Sequence, residues 1–431
     1  MFKQRLQNTG KTASVLVLCL MASALTLRGQ DNREGKIMGG YFEEWSIYGA
    51  NYNIANPQEN GVAGRLTHLM YAFANVTTTP APACAIADSW ADYQTPYLPS
   101  VSGVAYSGPM YGNFAAIQQL KQLHPNLKVL MSIGGASAVN TSAFVSAAGT
   151  PAGRKALAAS CIDMFVKGNV APGISAPELF DGFNIDWEFP TATDTQNFTA
   201  LLKEFRQQLN ALSQTTGNAY VMSFDGPAGA QNYVNIDLKH SAEQVDFITV
   251  DGYNYAGSWD LQTNHASPLF DDRQDPLRGQ DLDINATVDA YLKAGVPPRK
   301  YTMGLPLYGA GWSGVPDANH GLYQSSTGPS AVPPGDVLAT PGLATYATLA
   351  NAKANGYTRT FDASRIAVSL YNGSSQTFYS YDDPYSAFLK MLYVQSRVPG
   401  GLGGAYVWAL KDDDANGTMV KTMAGVLRLS R

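Results

Sequence analysis

Cysteine, histidine and basic residues are scarce in this chain of 431 residues, and each scarcity excludes a class of function. The 3 cysteines and 5 histidines do not have the spacing of zinc ligands, which argues against a metal-dependent mechanism. Lys+Arg number 29 against 34 Asp+Glu, so the net charge of -5 offers no basic surface for a nucleic acid. We expect no metal, no cofactor and no nucleic-acid partner.

A single long apolar run is present, at the N-terminus. Basic residues precede apolar residues 13–27, a stretch too short to span a bilayer comfortably, and small residues at 22–24 offer a cleavage site. Residues 1–24 are therefore interpreted as a secretory signal peptide. No later segment has the pattern of a transmembrane helix, so we expect an extracellular or periplasmic protein that is free of the membrane after cleavage. We also expect it to be a monomer.

Cleavage would leave two cysteines, Cys84 and Cys161. They can pair in an oxidising compartment, but Cys161 falls on the apolar face of a predicted helix, where a buried free thiol is about as favourable. The sequence leaves both states open.

Short apolar strands alternate with helical segments along most of the chain. Helix patterns occupy 113–123, 196–212 and 418–429, and Asp383 followed by Pro384 is typical of a helix start. Eight candidate strands are found at 36–42, 66–74, 128–133, 182–188, 220–225, 245–253, 301–308 and 403–408. This alternation predicts an α/β fold, a (β/α)8 TIM barrel whose reactive groups lie at the C-terminal ends of the strands.

One interval breaks the alternation. After the seventh strand come about seventy residues rich in Gly, Pro, Ser and Tyr, with strand-like pieces at 357–361 and 366–371. We interpret residues 311–382 as a small α+β insertion between strand 7 and helix 7. Residues 36–310 and 383–431 then form the catalytic barrel. A long flexible loop is the alternative.

The fourth strand carries polar side chains at alternate positions. Asn184, Asp186 and Glu188 point the same way, and in a barrel this set faces the interior. Two carboxyls close together in a low-dielectric interior cannot both ionise cheaply, so one keeps its proton near neutral pH. Glu188, at the C-terminal end, is the predicted general acid. Acids that merely cap a strand or pair with a cation are the alternative, but the sequence shows no cation nearby.

The segment from Asp181 to Glu188 resembles the DxxDxDxE signature of glycoside hydrolase family 18, the chitinases and their relatives. Six other segments are similar to that family's strand motifs in the right order: 40–48, 70–76, 132–135, 253–259, 304–309 and 403–408. Residues 377–383 also resemble the end of the α+β insertion found in one subgroup. The resemblance covers nearly the whole chain after residue 36.

This resemblance implies a chitinase that hydrolyses β-1,4 bonds between N-acetylglucosamine units of chitin or chitooligosaccharides, with the substrate's own 2-acetamido group as nucleophile. Glu188 would be acid and then base, Asp186 would hold the acetamido N–H, and Tyr253 its carbonyl oxygen. Supporting residues are expected at Asp181, Tyr41 and Ser132, and also at four positions where the chain departs from the family: Asn184, Asp225, Asp251 and Asn254. Sugar-binding rings are expected at Trp408, Trp45, Phe73, Trp259, Tyr308 and Trp312, although Trp45, Trp259 and Trp312 can instead pack under the insertion.

The chain also departs from the family pattern in its acids. Asn184 and Asn254 stand where the family has aspartates, while Asp225 and Asp251 are gained on neighbouring strands. We hypothesise that the barrel interior keeps the same number of acidic residues but holds two of them at different positions. Asn184 can donate a hydrogen bond to Asp186 but cannot share a proton with it, so Asp186 should ionise more readily than in an Asn184→Asp variant.

Other departures concern binding, and other functions stay open. Ala136 and Ala310 replace a tryptophan and an arginine frequent in the family, so stacking on the leaving-group side should be weaker. The alternatives are a non-catalytic chitin-binding lectin of the same fold and a related glycosidase acting on peptidoglycan or N-glycan cores. A glycosidase that uses two protein carboxylates would need Asp251 or Asp225 as its second acid.

Overall fold

Eight parallel strands close into a ring in the computed structural model, which describes residues 35–428; the predicted signal peptide (1–24) lies outside the described residues. The strands are β1 Ile37–Glu43, β2 His68–Thr77, β3 Lys128–Gly135, β4 Gly182–Trp187, β5 Val221–Gly226, β6 Phe247–Val250, β7 Tyr301–Pro306 and β8 Gly404–Trp408. Each strand pairs with the next, and β8 pairs with β1. The predicted (β/α)8 barrel is confirmed.

Helices follow the strands, and their apolar residues recur at helical spacing. The helix Thr195–Thr216 buries Phe198, Leu201, Leu202, Phe205 and Leu209, and it ends at Gly217 in the left-handed conformation (φ 75°). The other α-helices described are Ala55–Glu59, Gly112–Leu123, Ala138–Ala148, Pro151–Cys161, Ala230–Tyr233, Leu238–Gln244, Ile284–Lys293, Tyr346–Leu349, Pro384–Ser396 and Thr418–Arg428. Between residues 35 and 428, none of the helices has the length and apolar character needed to cross a membrane.

The helix Pro384–Ser396 begins where the sequence predicts. The carboxylate of Asp383 accepts hydrogen bonds from the backbone N–H groups of Tyr385 and Ser386, and the Ser386 hydroxyl accepts one from the N–H of Asp383. This reciprocal cap satisfies N–H groups that have no partner inside the helix, and Pro384 at the first helical position has no N–H to satisfy.

A second, antiparallel sheet lies between β7 and the helix Pro384–Ser396. Its strands are Tyr308–Ser313, Gly328–Pro329, Leu343–Thr345, Thr358–Asp362, Ala367–Asn372 and Thr377–Tyr381. The strand Tyr308–Ser313 follows β7 after one residue, so the sheet begins before Gly311, where the sequence places the insertion. The interval is therefore ordered by strand pairing rather than being a long loop.

Cys84 and Cys161 form a disulfide, with their Cα atoms 4.9 Å apart. It joins the short strand Ala83–Ile86 to the end of the helix Pro151–Cys161, and both cysteines are buried. The structure thus selects pairing over the free thiol that the sequence left open.

We expect the double variant Cys84→Ala/Cys161→Ala to lose about 4 kcal/mol of unfolding free energy, because the disulfide closes a long loop and restricts the unfolded chain. Urea unfolding followed by tryptophan fluorescence measures this loss. Wild-type protein unfolded in reductant serves as the control and should show a similar decrease. An unchanged midpoint in both cases would contradict the prediction.

Candidate active site

Four carboxyl groups meet at the C-terminal ends of β4, β5 and β6. Asp186 lies on β4 and Glu188 directly after it, Asp225 lies on β5, and Asp251 follows β6. The strands are neighbours in parallel register, so alternate side chains of all three face the lumen at similar heights. Within residues 35–428, no lysine, arginine or histidine is among the groups that principally shift the pKa of these acids.

The predicted acid pair lies within hydrogen-bonding reach of one another. Burial, the largest cause, and the charge of Asp251 together raise the pKa of Glu188 to about 7, although a hydrogen bond with Asp186 opposes the increase. Burial also raises the pKa of Asp186 well above its usual range, as do the charges of Glu188 and Asp251. Asp186 therefore keeps its proton when the pair has lost one.

The two acids gained on neighbouring strands differ from each other. Burial raises the pKa of Asp225 well above its usual range, although the Thr249 hydroxyl donates to its Oδ1 at 3.2 Å. Burial raises the pKa of Asp251 to about 6, and hydrogen bonds from Tyr253 and Tyr406 limit the rise. The Tyr406 hydroxyl lies 2.8 Å from Asp251 Oδ1. Asp251 is thus the first of the four to ionise.

Asn184 contacts hydroxyl groups and not Asp186, which corrects the expectation from the sequence. Its Oδ1 accepts from Ser132 at 2.7 Å and Tyr41 at 3.0 Å, and its Nδ2 donates to Ser223 at 2.9 Å and Thr249 at 3.3 Å. The Ser132 hydroxyl is 3.5 Å from Asp186 Oδ2, so it lies between the amide and the acid. Every polar atom of the Asn184 amide is therefore satisfied without a charge.

Asp181 has no part in the acid cluster, which corrects its prediction as a supporting residue. It precedes β4, at the end of the strand opposite Glu188, and forms ion pairs with Lys121 at 2.8 Å and Lys128 at 3.2 Å. It also accepts a hydrogen bond from the backbone N–H of Val129. Asp181 thus links β3 to β4, and for this one acid the alternative of pairing with a cation is right.

Three of the predicted sugar-binding rings lie side by side. Phe73 stacks on Trp408 with ring centroids 5.7 Å apart, and Trp45 lies 6.0 Å from Phe73. Tyr41 packs on the same indole, 5.1 Å away. Trp45 is 39% exposed, so this row of rings runs from the lumen to the surface.

The remaining predicted residues form two groups: those that stay candidates for binding a sugar, and Trp312, which does not. Tyr253 packs edge-on against Tyr308 (6.1 Å), whose hydroxyl donates to Asn254 Oδ1 at 2.9 Å, and Trp259 is exposed. Trp312 is wrong as a sugar-binding residue. Its ring is completely buried against Phe378, and its Nε1 donates to the carbonyl of Asp260, so it belongs to the core of the second sheet.

Thr249, Ser223 and Tyr406 contact the predicted acids or Asn184 but were missed from the sequence. Each lies on a strand two residues before a predicted site residue, so the alternation that identified Asp186 and Glu188 was a signal for all three. A cleft of about 450 Å³ opens beside Glu188, lined by Ala136, Ser137, Ala138, Thr141, Ser142 and Phe189. In the part of the chain that the structure describes, no cluster of three or more His, Cys, Asp or Glu could hold a metal ion.

A closed (β/α)8 barrel with carboxyls of raised pKa at the C-terminal strand ends has the layout of a barrel enzyme that uses acid–base chemistry. The chain belongs to the glycosyl hydrolases family 18, whose family model matches residues 37–413. It is 31% identical to Chitinase A1 of Niallia circulans over 87% of this chain and 56% of the relative. It is also 31% identical to Chitinase C of Streptomyces lividans, over 90% of this chain and 59% of the relative.

Solved structures show the same similarity. The catalytic domain of psychrophilic chitinase B from Arthrobacter TAD20 superimposes with a TM-score of 0.82 at 31% identity, covering 92% of this chain and 96% of that one. The chain spans less than two thirds of the length of the two curated relatives.

The Asn184→Asp variant should place its pH–rate profile at higher pH than the wild-type protein. A fifth carboxyl in the lumen would raise the pKa of Asp186 and Glu188 through added negative charge, whereas the native amide adds none. The measurement is kcat/KM against pH for both proteins on the same substrate, with Asn184→Ala as the control for loss of the four hydroxyl contacts. Superimposed curves would contradict the charge argument.

Proposed function

We propose that this protein is a secreted chitinase that hydrolyses β-1,4 bonds between N-acetylglucosamine units with retention of configuration. The observation that carries the proposal is Glu188, a half-buried carboxyl with a pKa raised to about 7 that borders a cleft at the barrel mouth. Such a carboxyl holds a proton at neutral pH and can hand it to a glycosidic oxygen. The names of the relatives support chitin as the substrate class.

Glu188 would act twice in the reaction. It first gives its proton to the glycosidic oxygen as the C1–O bond breaks, while the carbonyl oxygen of the substrate's 2-acetamido group bonds to C1 and forms an oxazolinium ion. The ionised Glu188 then takes a proton from water as the water oxygen attacks C1, and the bond between C1 and the acetamido oxygen breaks, which restores the acetamido group. Asp186 would hold the acetamido N–H and Tyr253 the acetamido carbonyl. No protein nucleophile is needed.

The rings define how the sugar chain would lie. Trp408 would form the floor beneath the sugar being cleaved, and Phe73 and Trp45 would continue this surface outward. Trp259 and Tyr308 would bind on the side of β6 and β7. Beside Glu188 the cleft is lined by the small residue Ala136, so contacts there would be weaker than those along the row of rings.

Secretion is part of the proposal. The Cys84–Cys161 disulfide suits an oxidising compartment, as does the apolar run at residues 13–27 read as a signal peptide. The extracellular space or the periplasm would then be the site of action, with the protein working as a monomer.

Glu188→Gln should lower kcat on chitin oligomers of defined length by about 10²–10⁴-fold, because the amide cannot donate the proton. Glu59→Gln, on the exposed end of the helix Ala55–Glu59, is the matched control and should keep wild-type turnover. Product analysis by mass spectrometry and NMR of the new anomeric centre give rate and stereochemistry. Full turnover by Glu188→Gln would refute the assignment.

A thiazoline mimic of the oxazolinium ion should compete with chitin oligomers for the wild-type protein. Inhibition supports acetamido participation, because the mimic resembles an intermediate that a protein nucleophile would not form. Hydrolysis without inhibition would instead favour the two-carboxylate alternative with Asp225 or Asp251. Binding of oligomers without any hydrolysis would favour the lectin.

Trp45→Ala should raise KM for a hexamer about fivefold while leaving that for a dimer unchanged, because one stacking contact far from Glu188 is lost. Initial rates on both substrates measure this difference, and the dimer is the internal control. Equal effects on the two substrates would show that Trp45 acts on the fold rather than on the outer sugars.

A further inference from the structure

Asp251 has a hydrogen-bond donor that reaches it across a neighbouring strand. Tyr406 stands on β8, Asp251 follows β6, and β7 runs between them. The tyrosine ring crosses β7 at Gly304, where an added Cβ would lie 2.5 Å from the Tyr406 hydroxyl oxygen. Only glycine at position 304 leaves room for this ring, and the hydroxyl then donates to Asp251 Oδ1 at 2.8 Å.

The groups around Asp251 are acids and tyrosines. Glu188 and Asp186 face it from β4 and Asp225 from β5, and Tyr253 lies two residues further along the chain. The other tyrosines that its charge influences are Tyr41, Tyr255, Tyr291, Tyr301, Tyr308 and Tyr406. Tyrosine hydroxyls donate to a carboxylate without neutralising it, so a charge on Asp251 stays effective at short range.

We propose that Asp251 is a positioning residue for Glu188: its carboxylate, fixed by Tyr406 across Gly304, adds to the effect of burial a negative charge that helps to keep the acid proton on Glu188. The inference rests on the proposed function for its consequence in catalysis. Of the two acids gained on neighbouring strands, Asp251 and not Asp225 then carries the charge that the family's missing aspartates would supply.

The order of ionisation supports this division of roles. The pKa of Asp251 is about 6 and that of Glu188 about 7, whereas burial and the neighbouring charges raise the pKa of Asp225 and Asp186 well above their usual range. Near neutral pH the charge therefore resides on Asp251, and Asp225 is a neutral acid. An amide resembles a neutral acid but cannot replace a carboxylate, so the two aspartates respond differently to the same substitution.

The first test is the alkaline limb of kcat/KM against pH on chitin oligomers. Asp251→Asn should move this limb to lower pH by about one unit, which lowers kcat/KM at pH 7 about fivefold. Tyr406→Phe should move it the same way, because Asp251 without its donor is no longer the first acid to ionise. Asp225→Asn should leave the position of the limb unchanged, and the exposed Asp317→Asn is the control for the assay.

The second test does not depend on activity. A carboxyl whose folded pKa is raised stabilises the protein at low pH, and that stability is lost as the pH rises through the folded pKa. The melting temperature of the wild-type protein should therefore fall relative to Glu188→Gln as the pH rises from about 4.5 to about 7, the ordinary and the raised pKa of Glu188. When both proteins also carry Asp251→Asn, the difference in melting temperature between them should develop over a pH range that ends at a lower pH.

The two tests separate the possible failures. If the wild-type protein cuts no chitin oligomer, the proposed function fails, and the melting data still decide whether Asp251 sets the titration of Glu188. The inference is overturned if Asp251→Asn leaves that titration where it was, or if Asp225→Asn moves it as far.

Discussion

Burial of several carboxyls without a cation is the constraint on which the rest of the site depends. Closure of eight strands turns alternate side chains inward, and at the C-terminal ends of β4 to β6 those side chains include four acids. A low-dielectric interior cannot hold four negative charges close together, so most of the group must stay protonated. Protons therefore remain available in this lumen at neutral pH, which is the condition for a general acid. Hydrogen bonds from hydroxyl groups, rather than ion pairs with cations, offset the cost of burying these carboxyls.

Much of the fold and part of the site could be predicted because the signals are local. Strand alternation and helix periodicity need only a few consecutive residues, and they identified all eight barrel strands and the inward face that carries Asp186 and Glu188. The same rule would have found Thr249 and Tyr406 had it been applied to every strand. The short β6, which ends at Val250, shows where local pattern overestimates strand length.

What could not be predicted are contacts between residues distant in the sequence. Asp181 pairs with Lys121 from the helix before β3, a partner that no spacing rule connects to it. The sequence likewise cannot tell whether an amide meets a carboxyl or a hydroxyl, and Asn184 meets four hydroxyls from four different strands. Nothing in the sequence around Trp312 shows that its ring is buried in the core of the second sheet and not available to a sugar.

Trp408 is wedged between Tyr41 and Phe73, and this has a consequence for the sugar rather than for the protein. An indole with a ring packed on either side cannot change its rotamer, so its side-chain conformational entropy is already lost when the protein folds. Under the proposed function, a pyranose bound against this indole would have to distort, because the ring beneath it cannot move. The free energy of that distortion would come from sugar units bound elsewhere along the cleft. Ring distortion would thereby couple the length of the bound chain to the rate of bond cleavage as well as to the strength of binding.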